Sequence, residues 1–466
     1  LKTTQKEGFV LNSFYQKSSL LTTLHAYFFD LKAAGLSKPM GLNYFWLCLA
    51  LLVIGDRHSI RHLFEQFLGR VTKHSLNTFY RALAVIGDHL PQLEVRNLTY
   101  LLTLIPTTCQ DLPLLLVLDD TVQPKFGHKF TGVKYLFDHA AHTGKRLVNA
   151  HDFVTLGLMI PTQRDQDDQP VYTFLPLATH LYQAEQATKY QQAAQMIKTT
   201  LKSIASDQQV FLLCDSWYPK AEINQLVMKL PNLAMLAYVL KYTAMFGLPK
   251  RTGKRGRPRK YGDQIHLGNI ALNLCSAGDQ IGIVRCLTRL MPQPVYMIRV
   301  QRKTTCRLFM ATSAPEELAA ITTETLAVDP TQLTYRTPET SAPAPALRAL
   351  AYYQKRWAIE TYFYEMKTFW HFGDYAVRSV AKIEADHHLL NTAYTLMIVL
   401  PLTQPSLAFL VTKSLRERKL WLSRQIQAAL FLASLARQVQ RRLKTTPAKV
   451  VIQWLASCWS GVSEKL

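Results

Sequence analysis

The chain has 466 residues, 48% of them hydrophobic, and carries 54 Lys and Arg against 32 Asp and Glu for a net charge of +22. That hydrophobic content excludes an intrinsically disordered protein, and the length exceeds one ordinary core, so several structural units are expected. The basic excess points to a polyanionic partner, either nucleic acid or an anionic membrane surface, with a merely basic enzyme as the plain alternative.

Residues 1–105 read as a helical domain, because apolar residues recur at three- and four-residue spacing without sustained alternation. Within it, residues 59–83 predict a helix, a turn around Gly69 and a second helix displaying Lys73, His74, Asn77 and Arg81. A helix-turn-helix uses that layout to reach bases and phosphates, although many helical hairpins share it. From residue 106 the texture changes to that of a mixed α/β sheet. Strands are expected at 112–121, 146–160 and 171–182, a helix at 184–205, then strands at 208–217 and 232–241. Residues 243–313 interrupt this order as a basic, β-rich segment with strands at 294–302 and 305–313. Residues 314–400 return to the core with the helix YYQKRWAIETYFYEMK (352–367), and 401–466 are helical.

The seven cysteines are scattered and never spaced as CxxC, which argues against a disulfide framework or a zinc site and fits a reducing compartment. The first ten residues, LKTTQKEGFV, lack the apolar core of a secretory signal, and the longest apolar stretches, 44–55 and 393–402, are too short to span a bilayer. A cytoplasmic, nucleic-acid-facing protein without membrane spans is therefore expected.

Three carboxylates stand out. Asp119 and Asp120 end one apolar strand, and Asp215 ends another. Strand carboxyl ends are where α/β sheets place functional groups, though an aspartate there also starts turns and caps helices. On a helix at about 100° per residue, Tyr353, Arg356, Glu360 and Lys367 fall on a stripe only about 60° wide. Bulky neighbours (Trp357, Ile359, Tyr362, Phe363 and Met366) suggest that this stripe lines a groove rather than bulk water. Carboxylate oxygens suit Mg²⁺ or Mn²⁺, and a pair of such ions serves phosphodiester chemistry. Arg and Lys beside them neutralise phosphates, and Tyr donates to one.

The spacing Tyr353-x2-Arg356-x3-Glu360-x6-Lys367 resembles the Y-R-E-K signature of DDE-type bacterial insertion-sequence transposases, the group named after insertion sequence four. DDT at 119–121 and CDSWY at 214–218 resemble the first- and second-aspartate motifs of that family, and HFGDYAVRS at 371–379 resembles the stretch that follows its glutamate. The resemblance covers roughly 110–400. It implies an RNase H-like catalytic core with an inserted, largely β domain, in an α/β chain with helical ends. It also implies Asp119, Asp215 and Glu360 as catalytic ligands of Mg²⁺ or Mn²⁺, in two ions. Asp119 is preferred to Asp120 from the D-x-T pattern. Tyr353, Arg356 and Lys367 would then hold DNA near the cut. Some members stack a flipped base on a tryptophan of the insertion. This chain has none between Trp217 and Trp357, leaving Tyr242, Phe246 or Tyr261 for that task.

Further basic residues extend the DNA reading. KRTGKRGRPRK (250–260) carries seven basic residues in eleven. Its Gly-Arg-Pro core with Arg255, Arg257, Arg259 and Lys260 suits an A·T minor groove in the manner of an AT-hook, or else forms a basic loop gripping phosphates. Lysines of 124–146, Lys125 among them, are expected to touch phosphate, with metal ligation by His128, His139 or His142 as the alternative. The implied function is cut-and-paste DNA transposition by a protein that dimerises on double-stranded transposon-end and target DNA. An RNase H-like nuclease without strand transfer, or a silent DNA-binding descendant, are the alternatives.

Overall fold

The computed structural model describes residues 31–56, 59–127, 129–137, 147–249, 257, 259–274, 280–312 and 344–454, with isolated positions before residue 31. The chain divides into two compact units: Leu1–His89 with Phe369–Ala376 and Thr395–Leu466, and Leu90–Thr368 with Val377–Tyr394.

The described part of the first unit is helical. Helix α1 (Lys38–Val53) is buried at every residue from Asn43 onward. It is apolar on all sides, as suits a helix enclosed by others. Next come α2 (Ile60–Leu63), a π-helical stretch (Phe64–Leu68) and α3 (Gly69–Val71), then α4 (Leu76–Asp88). The expected helix pair is present, but its break lies elsewhere. Gly69 continues the helical run, packed so closely that a Cβ would sit 3.0 Å from the Phe64 carbonyl oxygen. The chain turns extended only at Thr72. Lys73 and His74 thus lie in the connection, where His74 Nδ1 bonds Asn43 Oδ1 at 2.8 Å. Asn77 and Arg81 remain exposed on α4. The long helix Leu415–Leu443 opens with a Ser414–Glu417 capping box and packs on α1, with Ser423 Oγ donating to the Val53 carbonyl at 2.8 Å.

The second unit is built on one twelve-stranded mixed sheet. After α5 (Leu90–Leu102) come β1 (Leu114–Pro124), β2 (Lys134–Phe137), β3 (Leu147–Arg164) and β4 (Pro170–Leu181). Helix α6 (Lys189–Leu201) begins at a Thr188–Gln191 capping box, which is why it starts later than its apolar periodicity suggests. Strand β5 (Val210–Cys214), α7 (Ala221–Lys229) and β6 (Leu233–Val239) form a parallel crossover unit. Short strands β7 (Met245–Phe246), β8 (Gln264–Ile265) and β9 (Asn273–Leu274) precede the hairpin series β10 (Gln280–Thr288), β11 (Val295–Arg302) and β12 (Thr305–Ala311). Helices α8 (Ala344–Gln354), α9 (Trp357–Phe369) and α10 (Val380–Thr403) follow.

The strand order is β2-β3-β1-β5-β6-β12-β11-β10-β7-β8, with β4 added to β3 and β9 to β10. Strand β1 is antiparallel to β3 and parallel to β5, so it sits centrally and is buried from Leu114 to Leu118. Strand β12 pairs antiparallel with β6, so the basic, β-rich segment extends the same sheet rather than building a second one. Strand β10 was not among the sequence expectations, although its run IGIVRCLT is apolar and β-branched. Among the described residues no single helix is long and apolar enough to cross a membrane. Helix α10 and the following 3-10 turn Pro405–Thr412 pass that test only together, and they are bent by 115°.

Candidate active site

Register brings the two aspartate motifs together. In the parallel pair β1·β5, Leu118 lies opposite Cys214, so the next residues, Asp119 and Asp215, follow side by side. Asp215 comes just past the end of β5, whereas Asp119 does not end its strand as expected, because β1 stays paired with β3 as far as Pro124. Beyond Cys214 the β5 strand ends, and the Trp217 amide donates to Asp215 Oδ1 at 2.9 Å, holding that carboxylate in a turn.

Strand alternation separates Asp119 from Asp120. Successive side chains point to opposite faces, so the DD pair cannot serve one site together. Asp120 is fully engaged: Tyr218 donates its hydroxyl to Oδ1 at 2.8 Å, and Lys189 donates to Oδ2 at 2.8 Å. The same Lys189 ammonium pairs at 2.5 Å with Asp152 on β3, which is only 4% exposed. Asp119 takes the other face, where Arg356 donates from Nη1 to Oδ2 at 2.7 Å. Arg356 Nη2 also donates to Glu360 Oε1 at 3.1 Å. One planar guanidinium therefore spans the first aspartate and the glutamate. Burial pushes the Asp119 carboxyl up to about 7; Arg356 opposes this, while Asp215, Asp120 and Glu360 add to it. Burial likewise raises Asp215. The mutual influence of these carboxylates reflects how closely the fold gathers them.

The stripe differs from the continuous helix expected from sequence. Helix α8 ends at Gln354 and α9 starts at Trp357. Between them Lys355 and Arg356 form a turn of i−3 hydrogen bonds, Lys355 N to Tyr352 O at 3.0 Å and Arg356 N to Tyr353 O at 2.9 Å. The 100° arithmetic therefore does not carry from Tyr353 to Glu360. Tyr353 sits on α8 in edge contact with Phe309 of β12, centroids 4.9 Å apart. Lys367, on α9, donates to the Val122 carbonyl of β1 at 3.0 Å, which lays the carboxyl end of α9 along the strand that carries Asp119.

A buried polar chain fixes α9. Tyr362 donates its hydroxyl to Asn391 Oδ1 of α10 at 2.5 Å, and Asn391 Nδ2 donates to Thr179 Oγ1 of β4 at 3.1 Å. Thr179 in turn shares a 3.2 Å hydroxyl contact with Thr155, the β3 residue paired with Asp119. Tyr362 also meets Phe174 of β4, ring centroids 5.5 Å apart. Phe174 lies across Gly157, where any Cβ would collide with its ring.

Other expected site residues are placed as follows. Lys125 is 8% exposed, with its ammonium 5.0 Å from the Phe130 ring centroid. Arg257, Arg259 and Lys260 are exposed, and Arg255 lies outside the described residues, as do His128, His139 and His142. Tyr242 is exposed, whereas Phe246 and Tyr261 pack on each other at 4.7 Å. Sequence reasoning missed Lys189, Asp152, Asn391 and Thr179. None belongs to a local motif; each matters through long-range pairing alone.

Comparison with known families fits this geometry. A family described as DDE superfamily endonuclease matches residues 46–274, which include Asp119 and Asp215. A family described as Transposase DDE domain matches residues 173–396, which include Asp215 and Glu360. These matches support a DDE-superfamily transposase. No curated protein matches the chain. The mixed α/β architecture, with its large mixed sheet and helices at both ends, is compatible with an RNase H-like DDE core.

The donor set fits the divalent ions that DDE nucleases use in general. All three expected ligands are carboxylates, which suit Mg²⁺ or Mn²⁺. A cation already lies between two of them, since the Arg356 guanidinium stands where positive charge is wanted. Among the described residues no group of three His, Cys, Asp or Glu is drawn close enough to hold a metal as it stands.

Proposed function

We propose that the chain is a cut-and-paste DNA transposase of the insertion sequence four group, bearing its Y-R-E-K signature. The observation that carries this reading is the β1·β5 register, which sets Asp119 beside Asp215, with Glu360 tied to Asp119 through Arg356. Asp119, Asp215 and Glu360 would hold two Mg²⁺ or Mn²⁺ ions. When bound, the ions supply Lewis-acid activation of water or a 3′-hydroxyl and stabilise the leaving oxygen on phosphorus. Asp119, rather than Asp120, takes part, because Lys189 and Tyr218 hold Asp120 on the opposite face.

The residues around the carboxylates orient the DNA. Arg356 and Lys367 neutralise phosphates flanking the scissile one, and Tyr353 lines the approach from α8. Exposed Arg257, Arg259 and Lys260 grip DNA further from the cut, with Arg255 of the same basic run. Residues 1–105 supply additional DNA contact. Synapsis of two transposon ends calls for a dimer on DNA, acting at the nucleoid.

Glu360→Gln tests the assignment. It should abolish Mg²⁺-dependent nicking of a labelled transposon-end duplex and leave duplex binding nearly intact. Undiminished nicking would sink the reading. The endonuclease description of the first matching family favours one second reading, cleavage without strand transfer. A strand-transfer assay with pre-cleaved ends separates the two.

A further inference from the structure

The Arg356 guanidinium occupies the space between two carboxylates that the proposed function assigns to a divalent ion. Its Nη1 is 2.7 Å from Asp119 Oδ2, and its Nη2 is 3.1 Å from Glu360 Oε1. The remaining Asp119 oxygen accepts the Asp120 amide at 2.9 Å. Arg356 and Asp119 side chains are only 14% and 15% exposed. Glu360 is 40% exposed, but beside the mostly buried Asp119 a guanidinium and a divalent cation still repel each other, so sharing these oxygens carries a cost.

We infer that Arg356 is an internal counter-ion that holds Asp119 and Glu360 when no metal is bound, and that metal binding requires its release. The backbone provides for that release. Arg356 lies in the turn between α8 and α9, bonded i−3 to Tyr353 on one side and accepting i−3 from Ile359 on the other. Its side chain can change direction there without unwinding a helix. The freed guanidinium is then available to a DNA phosphate, its matching anion in the proposed function. Metal and DNA therefore bind cooperatively, each favouring the state in which Arg356 has left the carboxylates. By linkage the coupling is reciprocal. The inference rests on the reading of Asp119 and Glu360 as metal ligands.

Mn²⁺ binding to the full chain, followed by the electron paramagnetic resonance of free Mn²⁺, tests it without any turnover. In the absence of DNA, Arg356→Met should bind Mn²⁺ about tenfold more tightly than wild type, the equivalent of one modest charge interaction. Arg356→Lys keeps the charge but loses the fork, and it should fall between the two. Adding a transposon-end duplex should tighten Mn²⁺ binding in wild type and much less in Arg356→Met. Equal or weaker Mn²⁺ affinity in both folded variants overturns the counter-ion role while leaving the metal site in place. If no protein binds Mn²⁺, with or without duplex, the metal-site reading falls and the counter-ion role falls with it.

Discussion

Arg356 donates to Asp119 at 2.7 Å across a sequence separation of 237 residues. This contact joins a turn between two helices to the middle of a central strand. It makes the identity of the first aspartate an experimental question with opposite outcomes for two adjacent residues.

Asp119→Asn should reduce strand cleavage by about 10²–10³-fold or more, since it removes charge where the reaction needs it. Asp120→Asn should leave cleavage largely intact in the folded protein. Its cost is stability, about 1–3 kcal/mol, because the buried Tyr218 and the half-buried Lys189 lose a charged partner. Nicking rates and chemical denaturation of the two variants check both halves.

Tyr362→Phe should destabilise the second unit by about 1–3 kcal/mol, because the buried Asn391 Oδ1 loses its donor. Adding Asn391→Leu should cost less than the sum of the single changes, since both act on one bond. A double-mutant cycle in urea measures the coupling. An additive result would mean that the bond does not hold α9 in place.

Gly157→Val should cost about 1–3 kcal/mol and lower activity in the protein that remains folded. The new side chain must displace the Phe174 ring, which supports Tyr362 and hence α9. Thermal unfolding and nicking below the transition report the two effects separately.

Burial pushes His388 down to about 3, with His180 and Arg96 adding to the shift, so the folded protein keeps it neutral. The unfolded value is about 6.5. Its contribution to stability is complete above about pH 6.5 and is lost as the pH falls from there toward 3. His180 behaves oppositely: burial lowers it, but Glu94 and Glu384 win and hold it well above the ordinary value. Its contribution is complete at low pH and lost as the pH rises through the folded value. His388→Gln should therefore flatten the acid side of the stability profile by about one proton, or ~1.4 kcal/mol per pH unit. Denaturation midpoints between pH 4 and 7 decide it.

The strands at 114–124 and 210–214 were legible because a central strand buried on both faces must be an uninterrupted apolar run. Asp119 and Asp215 were legible for the same reason, as the first charges after such runs, although β1 itself continues past Asp119 to Pro124. The break at Lys355–Arg356 was not, because YYQKRWAIE contains no Gly or Pro to mark it. At the break the side chains reach different strands: Tyr353 meets the Phe309 ring of β12, and Arg356 the Asp119 carboxylate of β1. Asp120 was ambiguous for a related reason. Only partners distant in sequence tell the two apart: Lys189 and Tyr218 hold Asp120, while Arg356 links Asp119 to Glu360. Gly69 misled in the opposite direction. Its lack of a side chain serves a close approach to Phe64 inside a helical run, not a turn.

The separation between Asp119 and Glu360 also bears on synthesis. At roughly 5–20 residues per second, on the order of 10–50 s pass between the emergence of the first aspartate and that of Arg356. Helix α9 gains its Asn391 anchor later still. A nascent or prematurely terminated chain therefore presents Asp119 and Asp215 without the helix that carries Glu360. On the proposed function, DNA cleavage would have to await the emergence of nearly all of this core from the ribosome.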